Sequence, residues 1–114
     1  FPYTTLFRSS SVDAANWYTV GTDSNGITWS IDNDSVKKDD KKAVLDIKAM
    51  DYEGYHYIVT EEFNHKKREV KDVKVTLYNP KGEVVKQEQP NKSTRKVEQG
   101  TPAYAVYTLI WGDK

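Results

Sequence analysis

The chain alternates short runs of β-forming residues with turn residues from Trp17 onward, and a helical period occurs only near its end. Alternation with a period of two is typical of strands that bury one face, whereas apolar positions three and four apart indicate a helix. The pattern predicts an α+β fold, an antiparallel β-meander of about six strands with a short C-terminal helix packed on one face. The predicted strands cover residues 17–22, 27–32, 43–50, 55–64, 72–78 and 83–89.

The two central strands differ in how clearly the sequence assigns their buried face. In the third strand Ala43, Leu45, Ile47 and Ala49 lie on one face, opposite a face that carries Asp46 and Lys48, which predicts that the first face is buried. The fourth strand carries β-forming residues on both faces. We favour the face of Tyr57 and Phe63 as its core side.

Turn and cap residues mark the ends of the predicted elements. Asn25-Gly26 is a pair favoured in type I′ hairpins, and Asn79-Pro80-Lys81-Gly82 is typical of a β-turn. Thr101 is expected to cap the helix, Pro102 fits its first position, and Gly112 is expected to end it.

Two apolar patterns refine this prediction. Val73, Val75 and Leu77 lie on one apolar face of the fifth strand, and Val70 is out of phase with them, which predicts a bulge near Lys71. In the helix, one apolar stripe is expected to face the sheet. Its residues are Ala103, Val106, Tyr107, Ile110 and Trp111.

The first residues differ in character from the rest of the chain. Residues 1–9 are similar to the translation of a short-read sequencing adaptor, and we expect them to be a non-native, adaptor-derived segment. Residues 10–15 are small and polar, and Val12-Asp13-Ala14 resembles a signal-peptidase site. They are expected to be either the end of a signal peptide or a disordered lead, followed by one domain over residues 16–114.

Length and charge narrow the class of protein. The chain has 114 residues, 17 Lys and Arg against 17 Asp and Glu, and no cysteine. This length allows one small domain and excludes a large multi-layer enzyme. Removal of Arg8 leaves 16 basic groups against 17 acidic ones, a balance that argues against nucleic-acid binding. No apolar window reaches the length of a membrane span.

No residue set supports catalysis or a cofactor. Glu61 and Glu62 are adjacent in a strand, so they point to opposite faces and are expected to be solvated. Residues 23–26 lack the downstream Glu of a calcium loop, and His56 and His65 have no cysteine to complete a zinc site. We therefore expect neither an enzyme, nor a metal, nor a cofactor.

Charge and aromatic surface remain as candidate binding features. One basic cluster contains Lys66, Lys67, Arg68 and Lys71, and a second lies in residues 37–42. Both fall at predicted loops, where they could meet an acidic partner. Acidic residues interleave with them, so an ordinary solvated surface is the alternative interpretation.

Aromatic residues of the fourth strand are the other candidate binding group. Tyr55 and Tyr57 could contribute to an interface, because tyrosine combines apolar area with a polar tip. Core packing against the helix is the alternative use of these side chains.

Several of these segments resemble the bacterial surface-adhesin protein E family. The similarity lies in Asn16-Trp17-Tyr18-Thr19-Val20, in Ile31-Asp32-Asn33-Asp34-Ser35-Val36, in the hairpin of residues 77–84 and in the terminal helix with Tyr107. The resemblance implies an exported domain in the periplasm, the cell envelope or at the extracellular surface. It also implies adhesion to host matrix or serum proteins such as vitronectin and laminin, without enzymatic activity.

The leading hypothesis is therefore a non-catalytic, exported or surface binding domain for a protein or extracellular-matrix partner. The alternative is an envelope structural module that homodimerises through an exposed strand edge without a host ligand. A third hypothesis is a small enzyme or ligand carrier that uses a cup between sheet and helix.

Overall fold

The computed structural model of the chain describes residues 15–90 and 93–112. Residues 1–9, predicted to be adaptor-derived, and residues 10–14 of the predicted signal-peptide end or lead lie outside the described residues. Ala15 and Asn16 carry no regular structure and lead directly into the first strand. Among the described residues, no helix is both long and apolar enough to cross a membrane.

The described residues form one antiparallel sheet and one short α-helix. The elements are β1 Trp17–Thr22, β2 Thr28–Asp32, a 3-10 turn Asn33–Ser35, β3 Lys37–Lys38, β4 Lys42–Met50, β5 His56–Asn64, β6 Glu69–Tyr78, β7 Val84–Glu88, β8 Arg95–Lys96 and α1 Pro102–Trp111. The neighbour order in the sheet is β1-β2-β4-β5-β6-β7, while β3 pairs with β4 and β8 pairs with β6. The sheet therefore has eight strands, and the prediction of about six omitted β3 and β8, which contain two residues each and cannot display a period.

Three hairpin turns, at residues 23–27, 51–55 and 79–83, share one construction. Each begins with Asp or Asn, whose side-chain Oδ1 accepts hydrogen bonds from the amides two and four residues later. The fourth residue is a glycine with φ of 82°, 98° or 84°, in the left-handed region that favours glycine. All three turns lie at the same end of the sheet, which we call the turn end.

The prediction of a type I′ turn at Asn25-Gly26 is wrong. Of these two residues only Gly26 has a positive φ, whereas a type I′ turn needs it at both positions. The Asp23 carboxylate accounts for the difference, since it accepts bonds from the amides of Asn25 and Ile27. The Trp29 indole N–H also donates to Asp23, at 2.9 Å, and is the main cause of a lowered pKa of Asp23.

The bulge in β6 occurs later than predicted. Thr60 is opposite Lys74 and Glu61 is opposite Asp72, so Val73 is the extra residue rather than a position near Lys71. Val73 is 45 % exposed, which contradicts its predicted place on the apolar face. The bulge brings Val70 back into phase, and Val70 is buried.

The helix and one face of the sheet enclose the core. The predicted buried face of β4 is confirmed for Ala43, Leu45 and Ile47, which are at most 3 % exposed, while Ala49 is half-buried. Phe63 of β5 is fully buried opposite Ala43. The buried core consists of Ile31, Ala43, Leu45, Ile47, Phe63, Val70, Val97, Val106, Tyr107 and Ile110.

The helix has the predicted bounds and caps. Thr101 Oγ1 accepts a hydrogen bond from the amide of Tyr104 at 3.2 Å, and Pro102 occupies the first turn. The Gly112 amide donates to the Thr108 carbonyl at 2.7 Å with φ of 87°. We call the sheet side that α1 covers the helix face and the other side the open face.

Candidate functional site

The structure brings the two basic loops together at the end of the sheet opposite the turn end. The amide of His65, in the β5–β6 turn, donates to the carbonyl of Lys41 at 2.9 Å. The His65 Nδ1 also lies 2.9 Å from the carbonyl oxygen of Asp40. We call this region the basic end. It contains Lys37, Lys38, Lys41, Lys42, Lys66, Lys67 and Arg68.

The C-terminal turn of α1 holds these loops in place. The Trp111 ring stacks on His65 with centroids 4.3 Å apart, and its indole N–H donates to the Asp39 carbonyl at 3.0 Å. Lys38 Nζ donates to the Ile110 carbonyl at 2.8 Å, where the helix dipole favours a cation. The basic end is therefore a packed surface rather than two independent loops.

The acidic residues that interleave with the lysines are largely engaged locally. Asp39 Oδ1 accepts bonds from the amides of Lys41 and Lys42 at 2.7 and 2.9 Å, and these bonds lower the pKa of Asp39. Glu62 lies 3.4 Å from Lys42 Nζ, and Glu69 lies 3.6 Å from the ammonium of Lys96 on β8. Exposed pairs of this kind contribute little stability, but they offset nearby positive charge.

Four lysines of the basic end remain unpaired. The side chains of these four make no hydrogen bond or ion pair with any residue in the described part of the chain, and all four are exposed: Lys37, Lys41, Lys66 and Lys67. Their ammonium groups are therefore available to an acidic partner. Local charge, rather than the overall balance of the chain, distinguishes this surface.

Arg68 and Lys71 are placed differently from these lysines. Arg68 adopts a left-handed φ of 51°, and its guanidinium lies 5.7 Å from the centre of the Tyr107 ring. This cation–π contact fixes Arg68 against α1. Lys71 is half-buried in β6, opposite Glu62 in the strand register. Arg68 therefore belongs to the packed margin of the basic end, whereas Lys71 lies outside it, in β6.

The structure separates the tyrosines from the basic residues. Tyr55 and Tyr57 are 44 % and 37 % exposed at the turn end. They line a groove of about 410 Å³ on the helix face, beyond the cover of α1, together with Trp29 and Leu77. Seven residues of β5, 58–64, lie between this groove and the basic end, which corresponds to about 23 Å. The predicted binding residues therefore form two surfaces.

Tyr57 makes a specific polar contact beside this groove. Its hydroxyl donates to Glu88 Oε2 of β7 at 3.0 Å. This bond to a carboxylate is the main cause of a raised pKa of Tyr57. The contact orients one wall of the groove, while Tyr55 has its ring open to solvent.

A charged cluster beside α1 was missed by the sequence analysis. Arg95 donates to Glu61 Oε2 at 3.2 Å and to Asp72 Oδ1 at 3.1 Å. The side chain of Glu61 is only 13 % exposed, so the expectation that Glu61 is solvated is wrong, although Glu61 and Glu62 do face opposite sides. Burial, followed by the bond to Asp72, raises the pKa of Glu61 to about 8, and Arg95 opposes this shift.

The sequence holds only a partial signal for this cluster. Glu61 belongs to the parity of Phe63 in β5 and thus to the core side, which implies burial once that face is chosen. The partner Arg95 lies 34 residues away in a two-residue strand, so no local spacing indicates it.

Comparison with known proteins finds no significant relative of this chain. No protein-family model matches the chain, and no curated protein or solved structure is significantly similar to it.

Proposed function

We propose that this domain is a non-catalytic, exported binding module whose basic end engages an acidic segment of a protein or extracellular-matrix partner. One observation carries the proposal: the Lys41–His65 backbone contact joins two lysine-bearing loops on one packed surface. Four of its ammonium groups lack partners within residues 15–90 and 93–112. The adhesin E resemblance supports the matrix partner and the exported location.

The physical advantage of this surface is preorganisation. The stacking of Trp111 on His65 and the bond from Lys38 to the helix terminus restrict the backbone that carries the lysines. A partner would therefore order mainly lysine side chains rather than whole loops. Electrostatic attraction would steer an acidic segment toward this end and make binding sensitive to salt.

A binding experiment with immobilised vitronectin and laminin tests this proposal. We expect saturable binding that weakens with added salt. The double variant Lys66→Glu with Lys67→Glu should lower the affinity by about 10-fold or more, because two attractive contacts become repulsive. The matched control reverses Lys81 and Lys86, two exposed lysines outside the basic end, and should change the affinity by less than about 2-fold.

Two outcomes would contradict the proposal. One is an absence of saturable binding to both matrix proteins. The other is an equal loss in the test and control variants, which would indicate a response to overall charge rather than to the basic end.

A second candidate function is homodimerisation through β7. This strand ends the sheet, and Val84 and Val85 are 56 % and 50 % exposed. The unpaired backbone groups of an edge strand are a template for pairing with a second copy. Sedimentation at micromolar concentration should show a dimer that Val85→Lys converts to monomer, whereas a wild-type monomer would refute this function.

A further inference from the structure

The open face of the sheet contains a cavity of about 230 Å³. Strands β1, β2, β4, β5 and β6 all contribute to its lining, so a continuous sheet rather than a loop supports it. The lining residues include Trp17, Asp46, Thr60, Lys74, Thr76 and Tyr78. No residue of the basic end or of the Tyr55 groove is among them.

Two aromatic rings that line this cavity are packed against residues outside it. Lys48 Nζ lies 4.6 Å from the centre of the Trp17 ring, and burial lowers the pKa of Lys48. The Tyr78 ring stacks on His56 with centroids 5.3 Å apart and planes inclined by 11°. These contacts restrict both rings before any ligand arrives, which reduces the entropy lost on binding.

The polar groups of the cavity include both donors and acceptors. Thr60 Oγ1 donates to Asp46 Oδ1 at 2.6 Å, which orients the carboxylate toward its strand neighbour. Thr76 is only 3 % exposed, and its hydroxyl has no hydrogen-bond partner among the residues described. A buried hydroxyl without a partner is costly unless a ligand or water satisfies it. Thr76 therefore indicates a polar occupant of this cavity.

Size and charge define the class of that occupant. The volume corresponds to roughly eight water molecules and lies below the ~300–1,000 Å³ of drug-sized sites. Asp32 and Asp46 balance Lys48 and Lys74 at the cavity and its rim, which disfavours a ligand with net charge. Restricted aromatic rings beside hydroxyl and carboxylate groups suit a compact ligand with C–H faces and many hydroxyls.

We propose that this cavity binds one neutral sugar ring, either free or as a unit of an oligosaccharide. Trp17 and Tyr78 provide apolar walls for its C–H groups. Asp46 accepts hydrogen bonds from its hydroxyls, and the Thr76 hydroxyl gains the partner that it lacks. This site is separate from the basic end, and it does not depend on the function proposed above.

Nuclear magnetic resonance of the indole N–H groups tests the proposal on the full chain. The chain has three tryptophans, and the indoles of Trp29 and Trp111 are bonded to Asp23 and Asp39. Glucose, galactose, mannose and N-acetylglucosamine are titrated separately to about 50 mM, a range that detects Kd values near 1 mM. At least one sugar should shift the Trp17 signal saturably and leave the other two indole signals in place.

The variant Thr76→Val separates ligand binding from stability. Valine has nearly the same shape, so the free protein should unfold at the same or higher urea concentration, since an unpartnered buried hydroxyl is removed. Sugar affinity should fall by about 3- to 10-fold because one hydrogen bond to the ligand is lost. The control Thr22→Val removes an exposed hydroxyl on β1 and should leave sugar affinity unchanged.

Three outcomes would overturn the sugar site. None of the four sugars shifts the Trp17 signal, all three indoles shift together, or Thr76→Val binds sugar as tightly as the wild type. Saturable binding of lysine or glutamate in place of every sugar would also overturn it, because the cavity would then select charge.

Discussion

The substitution Glu61→Gln should make the protein more stable at alkaline pH. In the folded chain Glu61 keeps its proton up to a pKa of about 8, whereas its ordinary value is 4.5. The folded state therefore holds an extra proton across this window, and the free energy of unfolding falls as pH rises through it. Stability from this group is complete below pH 4.5 and lost above about pH 8.

The contacts of Glu61 set the size of the effect. Each pKa unit corresponds to ~1.4 kcal/mol, so the shift to about 8 gives an upper limit of ~5 kcal/mol above that pH. Glutamine resembles the protonated acid, because its amide N–H can donate to Asp72 and its oxygen can accept from Arg95. We expect the variant to match the wild type within ~1 kcal/mol at pH 5 and to exceed it by a few kcal/mol at pH 9.

Urea unfolding, followed by tryptophan fluorescence at intervals from pH 5 to pH 9, measures this difference. Glu62→Gln is the matched control, since Glu62 faces the other side and pairs with the exposed Lys42. Its effect should stay below ~1 kcal/mol and be constant over the same range. Asp72→Asn should flatten the wild-type slope, because it removes the second-largest cause of the raised Glu61 pKa.

Parallel stability curves for the wild type and Glu61→Gln from pH 5 to pH 9 would refute this reasoning. Such curves would mean that Glu61 is already ionised in the folded protein at pH 5. The pair with Arg95 would then dominate over burial and the contact with Asp72.

Two further predictions concern packing and turns. Phe63→Ala should lower the free energy of unfolding by ~3–5 kcal/mol in urea titration, because Phe63 is fully buried. The control Val85→Ala, at an exposed position, should change it by less than ~1 kcal/mol. Similar losses in both variants would contradict the assigned core. Gly54→Ala should lower the free energy of unfolding more than Gly82→Ala in the same assay. Both glycines have a left-handed φ, but only at Gly54 would the added Cβ approach another side chain, the Cβ of Pro80 at 3.0 Å. The Gly82 variant should lose ~1–2 kcal/mol from backbone strain alone, and equal costs would show that Pro80 moves aside freely.

The elements with strong local signals were predicted well. The helix begins at Pro102 and ends at Trp111 as expected, because Thr101, Pro102 and Gly112 each act through bonds within one turn. The alternation in β4 identified its buried face, since side chains one residue apart must point to opposite sides of a sheet. The same reasoning placed Val73 on the apolar face of β6. That placement is wrong because a bulge at Val73 shifts the register of β6 against β5, which the local sequence does not specify.

The candidate site divides in the same way. Sequence alone identified the lysine clusters of residues 37–42 and 65–71 and the candidate tyrosines Tyr55 and Tyr57, because charge and residue type are local properties. Only the tertiary structure decided that the two lysine loops meet, that Tyr57 lies at the opposite end, and that Glu61 shares Arg95 with Asp72. Periodicity and turn chemistry act over a few residues, whereas ion pairs, cavities and surfaces depend on strand register and helix packing between distant segments.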